Sequence, residues 1–90
     1  MSEVRIVCIN KVKDSHEAIT HYGWLENGVS KKTDRQTMVN WVNKGNKAYV
    51  EEDGDKAYCE VNTSANGVEF LQTYSDGEYS DNLLSLKQCA

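Results

Sequence analysis

Apolar and polar residues alternate along most of the chain, and the period of that alternation predicts its elements. Residues 4–12 read "VRIVCINKV". Val4, Ile6, Cys8 and Val12 share one face while Val7 and Ile9 lie on the other, which predicts an interior strand covered on one side by a helix. Residues 18–26, "AITHYGWLE", hold Ile19, Tyr22, Trp24 and Leu25. β-Branched and aromatic side chains favour a second strand, with Gly23 weakening its middle or marking a bulge. A helix over 15–22 is the alternative reading. Asn27-Gly28 then signals a turn, from which "VSKK" leads out.

A helical period starts at Thr33-Asp34-Arg35-Gln36. This fits a capping box, in which the threonine hydroxyl accepts from the amide three residues on and Gln36 reaches back. Met38, Trp41 and Val42 follow at helical spacing, Val39 widens the stripe, and Gly45 supplies a left-handed stop. The spacing predicts a helix over 34–44 whose other face, with Arg35, Asn40, Asn43 and Lys44, meets solvent. Period two returns at 47–51 ("KAYVE") and 56–62 ("KAYCEVN"), separated by an Asp53-Gly54 step of hairpin type. The repeated "KAY" has no longer period behind it. After an Asn66-Gly67 turn, residues 68–74 ("VEFLQTY") form the last clear strand. The pattern predicts one α+β domain over residues 1–90. It has an antiparallel sheet of about five strands with one helix packed on it, in the order β-β-α-β-β-β.

Composition narrows the function classes. Ninety residues with 39% hydrophobic and 27% charged side chains suit a single folded domain with a modest core. No apolar run approaches the roughly 20 residues of a membrane span, and "MSEVRIVCIN" lacks the features of a secretory signal, so no membrane association and a cytoplasmic location are expected. Cys8, Cys59 and Cys89 are odd in number, widely spaced and without ligand pattern, which suggests reduced thiols. Cys8 and Cys59 lie in apolar runs and should be buried as small hydrophobes; Cys89 should be exposed. A net charge of −4, with lysines in scattered pairs, makes nucleic-acid binding unlikely.

Candidate chemistry is sparse. His16 and His21, with Asp14 nearby, are five residues apart, which suits zinc ligands on neither a helix nor a strand. The acidic run 51–55 lacks the spacing and flanking helices of a calcium loop and reads as a hairpin turn. There is no nucleophile elbow and no Gly-rich phosphate loop. No metal, cofactor or catalytic residue is therefore expected. The aromatics are more suggestive, since Tyr49, Tyr58, Phe70 and Tyr74 all fall on predicted strands. Tyr49, Tyr58 and Tyr74 are the candidate binding residues, because an aromatic sheet face can stack single-stranded bases or a small ligand. The simpler alternative is that Phe70 and some of the tyrosines cover the core.

The stretch "TYSDGEYSDNLLSL", residues 73–86, closes the pattern. Asp76-Gly77 supplies a tight turn. Asp81 and Asn82 are placed to cap backbone amides, and Leu83, Leu84 and Leu86 would return over an open edge of the core as a latch. Together with the preceding Asn-Gly turn and strand, this stretch resembles the ending of a small, functionally uncharacterised domain family of bacteria and archaea, one of the "domain of unknown function" families. The likeness runs from Val4 to Leu86 and is distinctive over 66–86. Many members read Leu-Pro after Asp-Asn-Leu, whereas this chain has Leu86-Lys87. The resemblance implies a compact α+β domain and transfers no catalytic residue. The expected function is a non-enzymatic accessory or protein-interaction module, monomeric or weakly dimeric, with an unknown protein partner. A small-ligand or single-stranded nucleic-acid binder is the alternative, and a small enzyme stands third.

Overall fold

A computed structural model describes residues 2–52, 54–75, 78–80 and 83–89. Strand β1 spans Glu3–Lys11 and, after a 3-10 turn at His16–Ala18, β2 spans Ile19–Glu26 and β3 Val29–Asp34. Helix α1 covers Arg35–Asn43, and β4 (Lys47–Glu52), β5 (Asp55–Thr63), β6 (Glu69–Ser75) and β7 (Glu78–Ser80) follow. The strands form one seven-stranded sheet in the order β3-β2-β1-β4-β5-β6-β7. Every neighbouring pair is antiparallel except β1 and β4, which run parallel through Glu3–Lys47, Val4–Ala48 and Arg5–Tyr49.

The class is α+β with one α-helix among the described residues, as the hydrophobic pattern predicts, but the sheet is mixed rather than antiparallel and the element order is β-β-β-α-β-β-β-β. Two strands account for the longer order. β3 pairs with β2 across the Asn27-Gly28 turn, with both turn residues at positive φ (51° and 81°). It is an edge strand, exposed except at Thr33, so no buried face marks it in the sequence. β7 is only three residues long. The parallel pairing arises because β2, β3 and α1 intervene between β1 and β4 and bring the chain back along β1 in the same direction.

α1 packs on one face of the sheet. Val4, Ile6, Ile9, Ile19, Tyr22, Met38, Val39, Ala48, Val50, Cys59, Leu71 and Leu83 form one buried cluster, with Trp24, Trp41, Val42 and Val61 packed against it. A β-bulge between Ile6 and Cys8, opposite Gly23, shifts the inward face of β1 from Ile6 to Ile9. For that reason Val12, assigned by simple alternation to the Val4 face, is 79% exposed. The region 15–22 is not a helix, since only the 3-10 turn precedes β2. The helix cap also moves by one residue. Asp34 is the N-cap, and its two carboxylate oxygens accept from the Thr37 amide (3.0 Å) and hydroxyl (2.8 Å). Thr33 instead accepts from Trp24 Nε1 at 2.9 Å, and the Gln36 amide donates to Asn40 and Glu69 rather than back to a cap. A carboxylate supplies one oxygen for each of two donors, which a single threonine hydroxyl does not. Gly45 follows the helix with φ 100°, the stop expected of it.

The sulfur chemistry differs from the sequence reading. Cys8 and Cys89 form a disulfide, with Cα atoms 5.0 Å apart although the residues are 81 positions apart in sequence. Cys59 is the one free cysteine, buried as expected. The bond belongs to the docking of residues 83–89. β4 pairs with β1 only as far as Arg5, and beyond it this last segment takes the edge of β1. The Ile9 amide donates to the Lys87 carbonyl and the Cys89 amide donates to the Ile9 carbonyl, each at 3.0 Å. Asn10 Nδ2 donates to the Cys89 carbonyl, and Lys11 Nζ donates to the Leu84 carbonyl. Leu83 is wholly buried, while Leu84 and Leu86 lie partly buried against the core. The turn and cap positions assigned to Asp76, Gly77, Asp81 and Asn82 lie outside the described residues.

Candidate functional site

The three candidate tyrosines come together on the sheet. Inward residues of β4, β5 and β6 (Ala48 and Val50; Ala57 and Cys59; Leu71 and Thr73) are buried, so the alternate positions Tyr49, Tyr58 and Tyr74 face away from α1. The register places them directly opposite one another: Tyr49 pairs with Tyr58, Tyr58 with Tyr74, and Tyr74 with Tyr79 of β7. Four tyrosines from four adjacent strands therefore form one row, about 14 Å long at the usual spacing between strands. Arg5 continues it as the β1 neighbour of Tyr49. Tyr58, Tyr74 and Tyr79 are 37–47% exposed, which leaves a substantial apolar area open to a partner. Phe70 is not part of the row. It lies half-buried and stacks on His16 with ring centroids 5.8 Å apart.

The row is rigidified from within. Tyr74 and Tyr79 meet edge to face at 4.9 Å, and Tyr49 and Tyr58 tilt together at 5.8 Å. Lys56 Nζ sits 4.6 Å from the Tyr49 ring centre and Lys47 Nζ 5.4 Å from that of Tyr58, within range of cation–π attraction. Glu3 ties these groups together, accepting from Lys56 at 3.2 Å and from the Tyr58 hydroxyl at 3.1 Å. The hydrogen bond from Lys56 holds the Glu3 carboxyl below its ordinary value, and the same bond raises the Lys56 ammonium. Partial desolvation, then the bond to Glu3, pushes the Tyr58 phenol up. All three groups keep their usual charge states at neutral pH.

Sequence reasoning finds Tyr49, Tyr58 and Tyr74 as strand aromatics but gives Tyr79 no element and no role. The signal available was spacing: Tyr74 and Tyr79 flank an Asp-Gly step, as the partners of a hairpin do. A second feature was also missed. A cleft of about 560 Å³ opens between α1 and the β2–β3 end of the sheet. Both tryptophans of the chain, Trp24 and Trp41, line it with Leu25, Met38, Thr33 and Thr37. Neither histidine reaches it. His16 stacks on Phe70, and His21 Nδ1 lies 3.0 Å from the Thr20 hydroxyl. Among the described residues no three His, Cys, Asp or Glu side chains gather as metal ligands. No described helix is long and apolar enough to cross a membrane.

A family model described as a protein of unknown function (DUF3892) matches residues 5–87, in keeping with the resemblance to an uncharacterised domain family. Comparison with curated proteins and with solved structures gives no match.

Proposed function

We propose that this chain, which belongs to the DUF3892 family of proteins of unknown function, is a non-enzymatic interaction module whose contact surface is the tyrosine row. One observation carries the reading: the cross-strand alignment of Tyr49, Tyr58, Tyr74 and Tyr79 on the face opposite α1. Tyrosine suits such a surface because it offers a large apolar area at low entropic cost and a hydroxyl for partner groups. The rings are held by each other and by Lys47, Lys56 and Glu3, so little further ordering is needed on binding. The partner is another protein, and the module itself is a cytoplasmic monomer or weak homodimer.

A photo-reactive residue placed at position 74 tests this in cells, with the same residue at exposed position 43 on α1 as control. A discrete adduct specific to position 74 is expected, and equal adduct patterns at the two positions would reject the proposal. Arg5, Lys47 and Lys56 along the row favour one second reading, a single-stranded nucleic acid held by these cations against the rings. The net charge of −4 opposes it. Fluorescence polarisation with labelled oligonucleotides at low salt decides, because binding through the row would disappear in Tyr58→Ala.

A further inference from the structure

We propose that Cys8 and Cys89 form a reversible dithiol/disulfide couple whose oxidation state fastens or frees residues 83–89. Three observations on different residues support it. First, the bond joins β1 only to that segment, and neither cysteine belongs to the buried core cluster. A small domain stapled for want of a core would be built differently; here twelve buried side chains form the core without either Cys8 or Cys89. Second, both cysteines are partly exposed, so a soluble thiol or disulfide can reach the pair, whereas Cys59 is sealed in the core. Third, a cradle exists for the bond at Gly23. That residue pairs with Cys8 across β1 and β2, and a Cβ there would collide with the sulfurs of both Cys8 and Cys89. Gly23 is not among the residues of positive φ, so its backbone does not require glycine. The space above it does, and the disulfide fills that space.

The reaction is thiol–disulfide exchange with a low-molecular-weight disulfide such as glutathione disulfide. One cysteine thiolate attacks the small disulfide, expelling one thiol and leaving a mixed disulfide. The second cysteine thiolate then displaces the second thiol and closes the Cys8–Cys89 bond. Two electrons and two protons pass from the pair to the reagent, which becomes two thiols. Opening is the reverse. In the dithiol state residues 83–89 depend on the Ile9 main-chain bonds, the side-chain bonds from Asn10 and Lys11, and the leucine contacts, and the Ile9 and Cys89 amides report their docking directly.

The test is a titration of the full chain in glutathione buffers of varied ratio, approached from both the oxidised and the reduced side. Thiol alkylation with peptide mapping reads the bond, and hydrogen exchange reads the amides. The expected result is a reversible two-electron transition linking residues 8 and 89, with Ile9 and Cys89 amides exchanging about tenfold faster or more in the dithiol state. Failure to form the 8–89 link at any ratio, or equal exchange at both amides in the two states, would overturn the proposal. Gly23→Ala supplies a second arm. The added methyl collides with both sulfurs where the bond holds them. Breaking the bond frees each thiol to turn away about its own side-chain torsion, so the midpoint should move toward easier reduction by about threefold or more in buffer ratio. An unchanged midpoint in a folded Gly23→Ala chain would also contradict it.

Discussion

Replacing Leu83 by alanine measures how strongly the segment after β7 is anchored. Leu83 is 0% exposed and belongs to the same cluster as Ile9, Tyr22 and Val39. Its truncation removes three buried carbon atoms and leaves a cavity that can close only if its neighbours move. The segment is held at both ends of its contact: Lys11 bonds to the Leu84 carbonyl, while Lys87 and Cys89 bond to Ile9 and Cys89 is linked to Cys8. Collapse is therefore restricted, and a cost of about 3 kcal/mol follows, within the range for buried leucines. For a domain of this size that is a third or more of a total stability of roughly 5–10 kcal/mol. With a urea dependence near 1 kcal/mol per molar, the unfolding midpoint of the disulfide-bonded protein should fall by about 3 M. Leu84→Ala, at a partly buried position, should cost about 1 kcal/mol. In reductant the Leu83→Ala cost should shrink, because a segment that can undock gives up its contacts without unfolding the core. A loss below about 0.5 kcal/mol for Leu83→Ala in the oxidised protein, well under the buried-leucine range, would refute the anchoring role.

Tyr22→Phe tests a single buried hydrogen bond. The Tyr22 hydroxyl accepts from the Leu71 amide at 3.1 Å, and its removal should cost about 1–2 kcal/mol by leaving that amide unpaired; equal denaturation midpoints would contradict it. Alkaline pH should destabilise the fold. Burial raises the Tyr22 phenol from 10.0 and the Cys59 thiol from 9.0, each to about 12. Both therefore ionise first in the unfolded chain, so their contribution is whole below pH about 9 and is lost as pH rises toward 12. At about 1.4 kcal/mol per tenfold difference, the combined loss is about 4 kcal/mol by pH 11, and urea midpoints unchanged from pH 8.5 to 11 would exclude it. The two candidate caps can also be separated. Asp34→Ala should lower helical circular dichroism and thermal stability, while Thr33→Ala should spare the cap and alter Trp24 fluorescence through the lost indole bond. The Thr37 hydrogen bonds hold the Asp34 carboxyl below its ordinary value. The cap is thus intact above the usual carboxylate range and weakens as pH falls below it.

The parts of the fold that lie close together in sequence were legible from it. Met38 and Val39 mark the buried side of α1, Gly54 and Gly67 mark the turns around β5, and Ala48, Val50, Cys59 and Leu71 alternate as strand residues facing a core must. What the pattern could not convey was which strands meet. β1 and β4 pair in parallel over three residues with more than forty between them, and alternation within a strand carries no information about its neighbour. β3 escaped because an exposed edge strand has no apolar period, so "VSKK" looked like a linker. The Cys8–Cys89 bond escaped for a related reason: the odd count pointed to free thiols, and only the docking of Lys87 and Cys89 on Ile9 brings the two sulfurs together. Tyr49, Tyr58 and Tyr74 were identifiable as strand aromatics, but their union with Tyr79 in one row is a property of register. Trp24 and Trp41 each read as core residues, which they partly are. That they also line one cleft depends on the angle at which α1 crosses the sheet.

The most direct measurement of the central claim joins fold and contact in one experiment. Tyr58→Ser with Tyr74→Ser removes two rings from an exposed face, so unfolding temperature and circular dichroism should change little. The photo-adduct should nonetheless vanish, now read from position 72 on the same face of β6. Loss of the adduct in a folded variant is the predicted result. An adduct of undiminished yield in that variant would show that the tyrosine row is not the contact surface.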